Sequence, residues 1–496
     1  MELLSSVLDV LAEGKIPESS SEVTVYEKSF EQKDQTTIVM VKVGTTKYVL
    51  ATGQGKLFEE LTGDIVGKGK VSPLSYENRL VINKYFEYTV PQAFGTQIAT
   101  MGLGDRLGVA SPGHIETTRE RKVKPILAQQ SIRELTLLNR TMTDILDAAS
   151  FAVLQEGYKD GYGADADHIK LEKDIAYALE LGFSFITLDC SEQIRNDIEE
   201  KTDEALQQEF ASLPVDRKEY YTTHYLNKVF DVNGLSIQFD DTSLAKNTLV
   251  YGEAIDFMEH VYNAYIQKAD KAIDFEISID ETETVTAPEA HFFVAEELRR
   301  RGVTVQSLAP RFCGEFQKGI DYIGNIEQFE KELQAHAEIA KYFGYKLSIH
   351  SGSDKFSVFP IIGKYTEGLL HIKTAGTNWL EAVRVIAVEN PDLYRRMHVY
   401  AEEHFEETLQ YYHVTPDLDS ITPLNQTKDV DLPAYMEHDA ARQLFHVTYG
   451  ILLTAKDDQG NDLFRTEFFD TLLTNEDTYR NGLVKHIGRH LDLLDL

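Results

Sequence analysis

The chain has 496 residues, 42% of them hydrophobic and 26% charged, values that suit a large folded globular protein and exclude a mainly disordered or fibrous chain. Lys and Arg number 49 against 81 Asp and Glu, and the formal charge of -32 would repel both nucleic-acid phosphates and anionic membranes, so neither is an expected partner. Two cysteines, Cys190 and Cys313, are too few for a disulfide framework and read as core thiols in a reducing compartment.

Residues 1–15 place Glu2, Asp9 and Glu13 among apolar positions, the pattern of an amphipathic helix rather than a signal peptide. With no apolar run of membrane-spanning length, a cytoplasmic location is expected. VTVYEKSF and then TTIVMVKVGTTKYVLATG predict strands, the second a hairpin turning at Gly44. Residues 1–94 thus predict a helix and a small β-rich element.

From about residue 95, short apolar runs alternate with longer helical stretches, as βα units around a parallel sheet do. The runs are DRLGVA (105–110), KPILAQ (124–129), FAVLQEG (151–157), FSFITLDC (183–190), AIDFEISID (272–280), TVQSLAP (304–310), KLSIHSG (346–352) and LLHIKTAG (369–376). Eight strands close a TIM-type (β/α)8 barrel, so an α/β barrel over 95–391 is expected. The interval from about 191 to 271 is too long for one helix and predicts an insertion after the fourth strand, beside or over the barrel mouth. Beyond 392, apolar residues at helical spacing predict a helical C-terminal extension to 496.

Active sites of such barrels gather where strands end, so the polar residues there carry the information. GYKDGYGADADHIK follows the third run and holds Asp165, Asp167 and His168, although Asp167 also suits an ordinary helix cap. Asp189 ends the fourth run, Glu276, Ser278 and Asp280 alternate on the fifth, His350 ends the seventh, and His371 and Lys373 share a face of the eighth. Inward ionisable groups cost several kcal/mol unless paired or metal-bound. Convergence of His168, His350 and His371 on one divalent cation is therefore expected, with Zn, Mn, Ni or Co suited to imidazoles and Asp189 or Glu276 as substitute ligands. Dinucleotide, P-loop, serine-hydrolase and zincin signatures are absent: GLGDRLG at 102–108 has one residue too many for GxGxxG, and GDIVGKGK at 63–70 is too short for a P-loop.

QEGYKDGYGADADHIK, DFEISIDETETVTAPEAHFF, SLAPRFCGEFQKGIDYIGN, SIHSGSDKFSVFP and LLHIKTAGTNWLEAV together resemble the tagaturonate epimerase family over about residues 95–390. The resemblance implies a divalent-metal epimerase of hexuronate catabolism that interconverts D-tagaturonate and D-fructuronate. Transferred onto this chain, Asp167 is the proton acceptor, Glu276 the proton donor, and His168 and His350 metal ligands. His371 is the third ligand, with His291 as its competitor. Asp189, Arg311, Lys355 and Lys373 remain for binding a small sugar acid, and a homo-oligomer is compatible with all of this.

The two ketose acids differ at C4, a carbon β to the C2 ketone, so simple enolisation does not reach it. Reversible cleavage of C3–C4 does, with the cation stabilising the enediolate. Two readings compete. One is a metal-dependent class II aldolase or ketose isomerase acting on another sugar; the other is a non-catalytic sugar-acid binding protein.

Overall fold

The structure, a computed structural model, describes residues 2–280, 282 and 284–496. The helix Glu2–Ala12 lies on a five-stranded antiparallel sheet ordered Val23–Lys33, Thr36–Val43, Thr46–Gly53, Gly69–Pro73, Asp64–Val66. Gly44 turns the expected hairpin at φ +60°, a left-handed value that glycine adopts without steric cost. Both faces of the sheet are covered, which explains the unbroken apolar run TTIVMVKV. Val39, Val41 and Leu50 pack under Leu4, Leu8 and Leu11, while Ile38, Met40 and Val49 pack on Ile82, Phe151 and Leu154. Alternate residues of one strand thus serve two cores.

The eight parallel strands of the barrel are β1 Ala99–Leu103, β2 Val123–Ser131, β3 Gly163–Ile169, β4 Phe185–Asp189, β5 Asp274–Ser278, β6 Ser307–Ala309, β7 Lys346–Ile349 and β8 Leu370–Thr374. Pairing of β8 with β1 and of β4 with β5 closes the ring. The α/β TIM-type architecture is therefore as expected, but two strands are not where the sequence put them. DRLGVA (105–110) follows β1 rather than forming it. FAVLQEG (151–157) belongs mainly to the helix Met142–Gln155, which starts at a capping box between Thr141 and Asp144 and buries Phe151, Val153 and Leu154. A continuous apolar run fits a buried helix as well as a buried strand, and here the cap and the length decide for helix.

The residues between β4 and β5 form the helices Asp203–Ser212, Val215–Tyr225 and Asp241–Val261 and a hairpin, Val229–Val232 with Leu235–Gln238. Tyr225, Phe230 and Phe239 pack on Phe292 and Phe293 of the helix Pro288–Arg300. That contact puts this part of the insertion on the barrel's outer wall.

The chain after β8 is helical. Glu476–Leu494 packs against the helices Ser111–Thr118, Phe359–Thr366 and Thr377–Glu389, and Asp439–Thr454 packs against Ile132–Leu138. Among the described residues no helix is long and apolar enough to cross a membrane.

Candidate active site at the barrel mouth

Two irregular strands build the site. Between Leu127 and Gln130 of β2, and again between Ala166 and Ile169 of β3, the pairing register shifts, with Ala128 at φ +58° and His168 at φ +50°. A bulge inserts a residue and re-aims the side chains around it. In an uninterrupted strand Asp167 and His168 would face opposite ways, yet both line the same cavity, and Gln129 enters it to donate to Asp167 Oδ2 at 2.9 Å. Two more left-handed residues without glycine's freedom, Ser351 (φ +50°) and Asp354 (φ +65°), shape the loop after His350. Such strain concentrates at sites where geometry matters.

Lys373 lies at the centre. Its Nζ donates to Asp167 Oδ1 at 2.7 Å and Asp165 Oδ2 at 2.9 Å, lies 2.9 Å from Glu276 Oε1, and also touches the hydroxyl of Thr187. Burial works against the charge on Lys373, but the three carboxylates outweigh it and hold the ammonium's pKa well above the ordinary range. Burial would likewise raise Asp167 and Glu276, yet Lys373 and the imidazoles draw both below the usual carboxylate range. For Asp165 burial wins, and its pKa is pushed up to about 7.

His350 follows β7 with Nε2 2.8 Å from Glu276 Oε1 and Nδ1 3.1 Å from Asp280 Oδ1. Its Nδ1 is buried and faces the Asp280 carboxylate. His168 stands edge-on to His350 with ring centroids 4.9 Å apart, and its Nδ1 lies 3.3 Å from Asp189 Oδ2. Five carboxylates, Asp165, Asp167, Asp189, Glu276 and Asp280, thus surround Lys373 and two imidazoles. That surplus of negative charge beside two imidazoles suits a divalent cation of intermediate softness.

His371 does not join the two histidines. It lies two residues before Lys373 on β8, one side-chain layer deeper in the barrel, with Nδ1 2.9 Å from Thr100 Oγ1 and its ring 4.8 Å from that of Phe185. Burial lowers its pKa to about 3, so it stays neutral. Its competitor His291 is farther still, on the outer helix Pro288–Arg300, between His336 and Tyr345. The sequence could not distinguish these layers, because every second strand residue points inward at either depth.

The residues expected to bind the sugar acid are mostly engaged elsewhere. Lys355 is fully buried and donates to the carbonyls of Ser353, Gln317 and Ile320 at 2.6–2.8 Å, and burial brings its pKa down to about 7. Lys373 is saturated by its carboxylates, Asp189 holds His168 from outside the cavity, and Arg311 is not on the cavity wall. Arg106, Arg133 and Lys318 are there instead, in a cavity of about 610 Å3 that includes its open mouth. None of the three stood at the end of a recognised strand, so sequence gave no signal for them.

The C-terminal helices roof this cavity. His446 of Asp439–Thr454 and Tyr412 both line it. The segment 411–415 touches Arg133 through the carbonyl of Tyr411 and Gln317 through Thr415. Behind the mouth, Asp354, His486 and His490 offer potential ligand atoms within 4.8 Å of one another. Their bonding is that of an ion-pair cluster. His490 Nε2 already accepts from the Asp354 backbone N–H, His486 lies between Asp354 and Glu381, and Arg442 Nη2 is 2.7 Å from Asp354. With its lone pair occupied and a guanidinium alongside, this cluster is poorly suited to a cation.

The family model for tagaturonate epimerase matches residues 26–494. A tagaturonate/fructuronate epimerase from Thermotoga maritima is 42% identical over 479 residues, covering 95% of this chain and 97% of that one. Crystal structures of the fructuronate-tagaturonate epimerase from Cohnella laeviribosi, solved alone and with glycerol, superpose with a TM-score of 0.95 at 55% identity, covering 100% of both chains.

Proposed function

The chain belongs to the tagaturonate epimerase family and is an isomerase, and on that premise we propose that it interconverts D-tagaturonate and D-fructuronate by breaking and remaking C3–C4 at the barrel mouth. The observation that carries the reading is Asp167. It is an ionised carboxylate on the cavity wall, held by Lys373 and Gln129 beside two imidazoles.

His168 and His350 would hold a divalent cation, with Asp280, which lines the cavity beside His350, as the third ligand in place of His371. When bound, that cation would act as a Lewis acid at the end of the substrate that carries the ketone. Asp167 accepts the C4 hydroxyl proton. The C3–C4 electron pair then moves toward the C2 carbonyl, leaving an enediolate of three carbons and a three-carbon aldehyde acid. The aldehyde turns its other face, the bond re-forms, and the proton returns to the C4 oxygen from Asp167.

Glu276 is absent from the cavity wall. Lys373 contacts both carboxylates, so Glu276, itself ionised, serves by holding that ammonium beside Asp167 rather than by donating a proton. Ser307 Oγ donates to Glu276 Oε2 at 2.5 Å and fixes its orientation.

The test is direct: incubate the metal-loaded protein with tagaturonate, follow fructuronate by NMR, then remove and restore the metal. Fructuronate that appears, vanishes with chelation and returns with the metal is the expected result. Turnover unaffected by complete metal removal would overturn the metal-site assignment, and the absence of fructuronate would overturn the substrate assignment.

A further inference from the structure

We infer that Arg133 is the residue that receives the substrate's carboxylate and so determines selection of a sugar acid over a neutral sugar. This inference rests on the hexuronate reading above. The cavity draws its charges from different parts of the barrel. Its carboxylates, Asp167, Asp280 and Glu134, come from β3, the end of β5 and the helix Ile132–Leu138, and its cations come from β8 (Lys373), the loop after β1, that same helix and the loop after β6. Lys373 is held by its own carboxylates, but in a chain with a formal charge of -32 the other three cations of the cavity need a reason, and an anionic ligand supplies one.

The three cations are not equivalent. Arg106 is 2% exposed and fully engaged: Nε and Nη2 donate to Glu134 Oε1 at 2.9 and 2.7 Å, Nη1 donates to the His446 carbonyl, and its plane lies 3.9 Å from the centre of the Tyr449 ring. It is a brace between the β2 helix and the roof. Lys318 donates to Ser351 Oγ at 2.9 Å, which ties it to the loop that carries His350.

Arg133 is exposed, its Nη1 donates to the Tyr411 carbonyl at 3.2 Å, and its guanidinium lies 5.0 Å from the centre of the Tyr412 ring. The ring and the carbonyl orient the guanidinium, while its other edge stays available for a carboxylate in a two-pronged bond that lysine cannot make. Neighbouring Lys318 and Arg106 add attraction without competing for that geometry. The distal carboxylate at C6 would thus be anchored at the rim while C3 and C4 lie over Asp167.

The experiment uses the full-length, metal-loaded enzyme with wild type, Arg133→Ala and Arg133→Lys. For each, KM for tagaturonate is compared with the inhibition constant of the neutral ketohexose that has hydroxymethyl in place of the carboxylate. Arg133→Ala is expected to raise the ratio of the two constants about tenfold, the worth of one charge-assisted bond, and Arg133→Lys to recover part of it. An unchanged ratio overturns the assignment, as does an equal loss for both ligands, which would mean a structural role. If wild type does not convert tagaturonate at all, both the functional reading and this inference fall. If it does and the ratio is flat, only Arg133 is misassigned.

Discussion

One barrel interior holds two layers of ionisable groups with opposite fates. In the lower layer, Thr100 bonds both His371 and Lys346 beside the Phe185 ring, and burial is the largest influence on the two charges. His371 falls to about 3, and Lys346 falls to about 8. In the upper layer the groups are also buried, yet opposite charges overcome that burial, with carboxylates acting on His350 and with the Lys373 ammonium and imidazoles acting on the carboxylates. His350 is raised, and Asp167 and Asp280 are held low. Both layers hold a histidine and a lysine. What separates the layers is the pair of bulges in β2 and β3, which turn extra side chains inward only at the C-terminal end of the barrel. A histidine on a barrel strand therefore becomes a candidate ligand through its height in the barrel and its neighbours, not through its identity.

The sharpest way to break this contrast is to remove the proton acceptor. Asp167→Asn keeps the shape but cannot take the C4 proton, and a loss of about 10^3-fold or more in kcat, measured by coupled assay, is expected. Next, Lys373→Met should destabilise the fold by about 3–5 kcal/mol in urea denaturation, because it leaves Asp165, Asp167 and Glu276 buried without their shared cation.

The two layers can then be set against each other. His350→Ala should lose bound metal by elemental analysis, whereas His371→Phe should retain it and cost only about 1–3 kcal/mol of stability. Metal loss in His371→Phe alone would reverse the assignment of the layers.

The smallest effect concerns the C-terminal helix. His486, between Asp354 and Glu381 and near His490, Arg442 and the Phe356 ring, has its pKa raised to about 9 because these carboxylates outweigh burial. A folded-state pKa above the unfolded one means the contribution is complete below about 6.5 and is lost as pH rises through about 9. Thermal stability should therefore decline over that window, and His486→Gln should flatten the decline.

The barrel was legible in the sequence where apolar runs were β-branched or aromatic, as in FSFITLDC and KLSIHSG. It was illegible at β1, whose ATMGL lacks that character, and at β3, whose inward positions carry Asp165 and Asp167 and so read as a polar loop. The same polarity that hid the strand marked the chemistry, because Asp167 and His168 stood out as ionisable residues wherever the strand lay. Arg133 and the roof residues Tyr412 and His446 were beyond reach. Tyr412 and His446 meet the barrel only through long-range packing of the C-terminal helices, which no local pattern encodes, whereas Arg133 stands just past β2 and is oriented by Tyr411 and Tyr412 of that roof.

The central claim is cleavage of C3–C4 with Asp167 exchanging a proton on oxygen, and the hydrogen on C4 never leaving its carbon. Running the conversion of tagaturonate in D2O and reading C4 of the fructuronate by NMR tests this directly. The account predicts that C4 retains its original hydrogen throughout the conversion; deuterium appearing at C4 at the rate of product formation would contradict it.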